Sequence, residues 1–165
     1  MLSLKTRQKD IQQFFLEFNL AELLFLSDII KFIFESLVTE ENKIAFTAGL
    51  QREETYSRLQ ILKFTKIITN VGGGLNASDG VFYCPEPGLY YFFVNIMPYA
   101  NHVYAQIHKN DKRVVYVYTD NNGKQWKSGS NAVILRLEKG DRVSVKSHSS
   151  DRFHDNATYF TGLKL

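Results

Sequence analysis

Cysteine is almost missing from the chain: Cys84 stands alone among 165 residues. One thiol excludes an intrachain disulfide and a cysteine-rich zinc site. Long apolar runs are missing too. No stretch of 18 residues is both apolar and free of charge, so a membrane-spanning helix is not expected. Proline occurs 3 times, and the 10 glycines follow no Gly-X-Y period, which excludes a collagen-type stalk within these residues. No large excess of one charge is present: 20 Lys and Arg face 17 Asp and Glu, a formal net charge of +3. That balance carries no nucleic-acid footprint. Nucleophile elbows, His-Glu-x-x-His and Cys-x-x-Cys are all absent, so no hydrolytic, zinc-peptidase or dithiol chemistry is recognisable. Val71-Gly72-Gly73-Gly74 lacks the Lys and Ser/Thr of a phosphate loop and reads as a connection between strands. The expectation is a protein that is not an enzyme and requires no cofactor.

What the chain has in plenty is aromatic side chains, 13 Phe, 9 Tyr and 1 Trp, a composition that favours sheet. They sit on an uneven chain. Residues 1–42 hold 4 basic and 7 acidic residues with no Gly or Pro, whereas residues 43–165 hold 16 basic and 10 acidic residues and every Gly and Pro. This places a domain boundary at 42/43.

Residues 10–38 are predicted to be helical. Leu4, Ile11, Phe18, Phe25 and Phe32 form one stripe of spacing seven, and Leu16, Leu23, Ile30 and Leu37 form another. The joint arc is wider than one neighbour needs, and heptad spacing suggests an oligomerising coiled coil. Glu22 and Asn19 interrupt it. Lys5, Arg7 and Lys9 precede an apolar stretch as in a secretory leader, but Glu17 and Glu22 break that stretch and no small-residue cleavage site follows.

From Lys43 the pattern changes to short strands, predicted at 44–50, 61–69, 81–84, 89–98, 103–109, 113–119, 131–138, 142–148 and 157–165. Turn residues separate them, and no helix intervenes. Strands in succession without helices mean antiparallel pairing in a sandwich or barrel. Arg142-Val143-Ser144-Val145-Lys146 alternates, so one side faces water. Leu89–Pro98 and Val114–Tyr118 are apolar on both faces. A small sandwich has one core to fill, so the second face needs another cover, most simply another subunit. The pattern does not say whether Val115 or Tyr116 meets that partner.

Phe64, Asn70, Leu75, Phe82, Gly88, Tyr90 and Phe92 stand at the signature spacings of a known family: Phe, five residues, Asn or Asp, four, an aromatic or Leu, six, Phe, five, then Gly-x-Tyr-x-Phe. Val94 replaces the Phe or Tyr of the last position. Ile44–Leu50, Phe82-Tyr83-Cys84-Pro85, Ser130–Leu137 with Gly140-Asp141-Arg142-Val143, and Phe160-Thr161-Gly162-Leu163 agree in order. On these residues the segment from about 43 to 165 resembles the complement C1q globular domain. The resemblance implies an all-β, ten-stranded jelly roll of the C1q and tumour necrosis factor type, assembling as a homotrimer. It also implies an extracellular, secreted recognition module, lectin-like and acting in innate immunity by multivalent binding of carbohydrate or microbial surface patterns. A cytokine-like ligand for a receptor protein is the alternative.

Candidate ligand-contacting residues are Lys124, Trp126, Lys127, Arg152 and His154, cations and aromatics on loops. Cys84, before Pro85 in an apolar strand, reads as a buried, inert thiol. His102 and His108, six apart on one predicted strand, and His148 and His154 flanking a loop are the available metal ligands, but no ligand geometry is set. Calcium is a further candidate by resemblance, with its position unassigned. The loop Asp120–Trp126 is rich in oxygen ligands but lacks calcium-loop spacing. Asn76-Ala77-Ser78 and Asn156-Ala157-Thr158 are glycosylation sequons, meaningful for an exported chain.

Overall fold

The computed structural model describes residues 20–41, 43–100, 102–120 and 127–165. The chain divides into two compact units, Met1–Asn42 and Lys43–Leu165. In the first, α1 (Leu20–Glu41) is a run rich in Leu, Ile and Phe and free of Gly and Pro; the part of the predicted helix before Leu20 lies outside the described residues. Side chains from Leu24 to Phe34 are exposed, Phe32 to 72%. No helix among the described residues is long and apolar enough to cross a membrane.

The second unit contains strands β1 (Ala45–Gly49), β2 (Glu54–Tyr56), β3 (Lys66–Val71), β4 (Leu75–Asn76), β5 (Val81–Tyr83), β6 (Gly88–Ile96), β7 (Val103–Lys109), β8 (Lys112–Thr119), β9 (Gly129–Leu137), β10 (Arg142–Ser147), β11 (Asp151–Phe153) and β12 (Tyr159–Lys164). Ten of them form two five-stranded sheets, in the orders β3-β1-β12-β6-β9 and β4-β5-β10-β7-β8, while β11 and β2 make a separate ribbon. All pairings are antiparallel. This is the jelly roll expected.

Two details differ from the sequence reading. The strand predicted at 61–69 begins only at Lys66: Ile61 makes an isolated bridge to Lys146, and the Thr65 amide turns back onto the Lys63 carbonyl at 3.0 Å. The short strands β2, β4 and β11 escaped prediction, being two or three residues long and too short to show a period of two.

Between the sheets lies an aromatic core. Phe46, Phe64, Phe82, Tyr90, Phe92 and Phe160 are buried. Ring centroids are 4.8 Å apart for Phe46–Phe160, 5.3 Å for Phe82–Phe92, 5.4 Å for Phe46–Phe82 and 5.8 Å for Phe92–Phe160. These separations are those of mutually attractive edge and offset pairs. Gly162 makes room for them: a Cβ there would stand 2.4 Å from the Phe46 ring and 2.8 Å from that of Phe92. Six of the seven signature residues have evident work. Phe64, Leu75, Phe82, Tyr90 and Phe92 fill the core, and the Tyr90 hydroxyl donates to the Glu86 carbonyl at 2.7 Å. Asn70 spans the glycine loop, donating to the Leu75 carbonyl and accepting from its amide. The Cys84 thiol is buried against the Glu86 carbonyl at 2.9 Å.

Asp141 ties the two hairpin ends together. Its carboxylate accepts from the Glu138 amide (2.9 Å), Asn110 Nδ2 (2.6 Å) and Lys109 Nζ (2.9 Å). These donors, the Glu138 amide foremost, hold its pKa down from 3.8 to about 2. A carboxyl that ionises more readily when folded stabilises the fold above its unfolded pKa, and that stabilisation is lost as pH falls towards the folded value.

Two outcomes follow. Phe92→Ala should cost about 3–5 kcal/mol in denaturant unfolding, and a loss under about 1 kcal/mol, the level of surface changes, would contradict the core described. Asp141→Asn should be less stable than the parent near pH 6, with the difference disappearing between pH 4 and pH 2. A pH-independent difference in thermal midpoints would show that the charge is not what matters.

Candidate assembly and recognition surfaces

Alternation along β6 sends Tyr90, Phe92, Val94 and Ile96 into the core and leaves Leu89, Tyr91 and Phe93 on the opposite side. Register then builds a surface. Val71 pairs with Ala45, Ala45 with Leu163, Leu163 with Tyr91, and Tyr91 with Ile134. The result is one apolar row crossing all five strands of the sheet on its outer face, with Val71 46%, Leu163 36% and Ile134 57% exposed. Beside it runs a second row, Thr69, Thr47, Thr161, Phe93 and Ala132, which is uncharged throughout. Five adjacent apolar side chains without a charge differ from the scattered apolar residues of an ordinary surface.

The outer face of the other sheet carries tyrosines. On β8, Val117 faces the core, and Val115 packs partly against it, whereas Val114, Tyr116 and Tyr118 are exposed. The alternative left open by the sequence is thereby resolved, with Tyr116 outward. Tyr104 stands 4.6 Å from Tyr118 and 5.9 Å from Tyr116 between ring centroids, and His148 packs 5.8 Å from Tyr116. The Arg113 guanidinium lies 4.5 Å from the Tyr116 ring centre. On β7 Gln106 and His108 are buried. The His108 ring nitrogens contact the Asp111 carbonyl (3.0 Å) and the Gln106 amide (2.8 Å), and Gln106 also meets His148. Burial pushes the His108 pKa below its usual 6.5.

His102 and His108 do not form the metal pair considered above. His102 precedes β7 with φ 55° and contacts the Tyr118 hydroxyl, while His108 is buried with its ring nitrogens on the Asp111 carbonyl and the Gln106 amide. Among the described residues no group of three or more His, Cys, Asp or Glu converges on one point.

The ribbon brings two of the predicted contact residues, Arg152 and His154, together around Glu53. His154 is buried, its ring stacked on Tyr99 at 3.7 Å and its Nδ1 donating to Glu53 Oε1 at 3.0 Å. Arg152 donates to Glu53 Oε2 at 2.9 Å and lies 4.9 Å from the Tyr99 ring centre. The Tyr99 hydroxyl, then His154 and Arg152, hold the Glu53 carboxyl below its ordinary pKa. His154 therefore supports this cluster from inside and does not present its ring to a ligand; Arg152 is exposed. Lys127 is exposed. Lys124 and Trp126 lie outside the described residues. Both sequon asparagines, Asn76 and Asn156, are exposed, and Asn76 Oδ1 accepts from the Ser78 amide and hydroxyl.

On the other side of β2, Gln51, Arg52, Glu54, Tyr56, Lys63 and Thr65 line a pocket of about 270 Å³. No local sequence pattern marks this pocket, because it depends on the three-residue strand β2 and on the turn at Lys63–Thr65.

The sheet orders, the buried signature aromatics and the apolar outer face together define a jelly roll of the C1q and tumour necrosis factor type. Solved structures share it. The globular domain of zebrafish complement 1qA protein superposes with a TM-score of 0.66 at 19% identity, covering 75% of this chain and 98% of that one. Murine APRIL superposes with a TM-score of 0.62 at 14% identity, covering 75% and 100%. Residues 45–164 match the family model of the C1q domain. Complement C1q tumor necrosis factor-related protein 2 of Mus musculus is 33% identical over 129 residues, which cover 74% of this chain and 43% of the relative. The heavy metal-binding protein HIP of Mytilus edulis is 30% identical over 133 residues, 76% of this chain and 62% of the relative. The chain belongs to the C1q domain family. It spans less than two-thirds of the length of these curated relatives.

Proposed function

We propose that this chain is a non-enzymatic recognition head that works as a homotrimer outside the cell, binding carbohydrate or other repeated patterns on microbial surfaces in innate immunity. The observation that carries the assembly is the apolar row Val71–Ala45–Leu163–Tyr91–Ile134. It leaves a continuous face in water unless a second copy covers it, and closed rotational symmetry lets identical chains do so. The number three comes from family membership and not from the row. The extracellular setting likewise follows the complement relatives, and in that setting Asn76 and Asn156 become glycosylation sites. Three heads in fixed array convert weak single contacts into avidity. The exposed apolar helix α1 is then a second place where copies meet, at the heptad stripes containing Phe25, Phe32 and Ile30.

A second reading, a ligand for a receptor protein, is favoured by the tyrosine face: Tyr116 and Tyr118, with Arg113 against Tyr116, are the residue types that dominate protein–protein hot spots.

Sedimentation of the full chain should give a trimer, and Tyr91→Glu should give a monomer with an unchanged circular-dichroism spectrum. On an array of microbial polysaccharides the parent should bind and the monomer should lose about 10²–10⁴-fold in apparent affinity. A Tyr91→Glu chain that stays trimeric would remove the row from the interface. Binding to a cell-surface protein that survives complete removal of glycans, with an empty polysaccharide array, would replace the first reading with the second.

A further inference from the structure

The pocket beside β2 has a floor and a rim of different chemistry. At the floor, Tyr56 is buried and its ring packs 6.1 Å from that of Phe153. Its hydroxyl donates to Glu54 Oε2 at 3.3 Å. Burial, the largest influence, pushes its pKa to about 12, so the group stays a neutral hydroxyl. At the rim, Arg52 and Lys63 are exposed, and neither side chain makes an ion pair or a side-chain hydrogen bond among the described residues. Gln51 and Thr65 complete the lining with an amide and a hydroxyl.

The walls are held in place. β2 is fixed to β11 through Glu54–Phe153, Thr55–Arg152 and Tyr56–Asp151. The segment that returns to Lys63 is pinned by the Leu59 amide on the Ser147 carbonyl (2.8 Å) and the Leu62 amide on the Val145 carbonyl (2.9 Å). The Ser57 amide also donates to Gln60 Oε1 at 2.8 Å. A pocket built this way is largely formed before anything binds, which lowers the ordering cost of binding.

Its chemistry narrows the occupant. Two free cations against one carboxylate leave a surplus of positive charge that asks for an anionic group. Glu54, however, lies beside them and repels a bare anion such as phosphate, while it accepts readily from hydroxyl groups. Gln51 and Thr65 add further hydroxyl partners. A neutral sugar would leave both cations unmatched. The ligand that uses every group is a polyhydroxylated ring carrying one carboxylate. At 270 Å³ the volume falls just under the usual range of about 300–1,000 Å³ for drug-sized ligands, so one ring fits and a second must extend into solvent. We propose that this pocket binds a single uronic-acid residue of a polysaccharide, its carboxylate on Arg52 and Lys63 and its hydroxyls on Glu54, Gln51 and Thr65. The assignment rests on the carbohydrate reading above and gives it a sugar class and a site.

The test is titration of the full chain with D-glucuronate and D-galacturonate by calorimetry, with D-glucose and acetate as comparison probes. At least one uronate should bind saturably in the millimolar range, at least ten-fold more tightly than glucose or acetate. Lys63→Ala and Arg52→Ala, both at exposed positions, should each weaken it five-fold or more, and Glu54→Gln should weaken it while sparing acetate. Arg58→Ala, an exposed cation outside the lining, should leave it unchanged. Acetate binding as well as the uronate would reduce the pocket to a patch of positive charge and overturn the proposal. So would no uronate binding, or binding indifferent to Lys63 and Arg52. The polysaccharide array separates the two levels: if the parent and Lys63→Ala bind the array alike, the pocket assignment fails and the carbohydrate reading stands. An array empty for the parent ends both.

Discussion

The fold depends on one interlock, the wedging of Phe46, Phe82, Phe92 and Phe160 between two five-stranded sheets over the gap left by Gly162. Large rings bury the most apolar area per residue and prefer a few offset or edge-on arrangements, so they set both the spacing of the sheets and the phase of each strand. A slip of one residue in β6 would drive Tyr91 and Phe93 inward and put Tyr90 and Phe92 in water. The rings leave no such freedom, because the cleft at Gly162 accepts Phe92 and Phe46 in one register only.

The outer surfaces are consequences of that phase. Once Phe92 points inward, Tyr91 points outward, and antiparallel pairing aligns it with Leu163, Ala45, Val71 and Ile134. Once Val117 points inward, Tyr116 and Tyr118 point outward, against Tyr104 on the neighbouring strand. The ribbon β2–β11 is cast in the same way. Its inner face gives Tyr56 to the pocket floor, and Glu53, Arg152 and His154 form a cluster with Tyr99. One core arrangement thus yields an apolar face, a tyrosine face and a charged pocket.

The family and the core were legible in the sequence because signature spacing counts residues along strands, and strands convert counting into position. Phe64, Phe82, Tyr90 and Phe92 are buried where that spacing put them. The double-faced character of β6 and β8 was legible as well, since it needs only the period of two. Which face of β8 turns outward was not, because both alternating sets are apolar. His154 looked like a surface ligand for want of its covers: Glu53 lies 101 residues away in sequence, and no local pattern reveals such a partner. The pocket was hidden for a related reason. It is made by a three-residue strand and by a turn inside a stretch whose β-branched composition reads as continuous strand from 61 to 69.

In the proposed trimer the outer apolar face, and not the helix, holds the copies together. Equilibrium sedimentation of residues 43–165 tests this most directly. A folded trimer at micromolar concentration is the result predicted, whereas a well-folded monomer would contradict it and leave assembly to the helical segment.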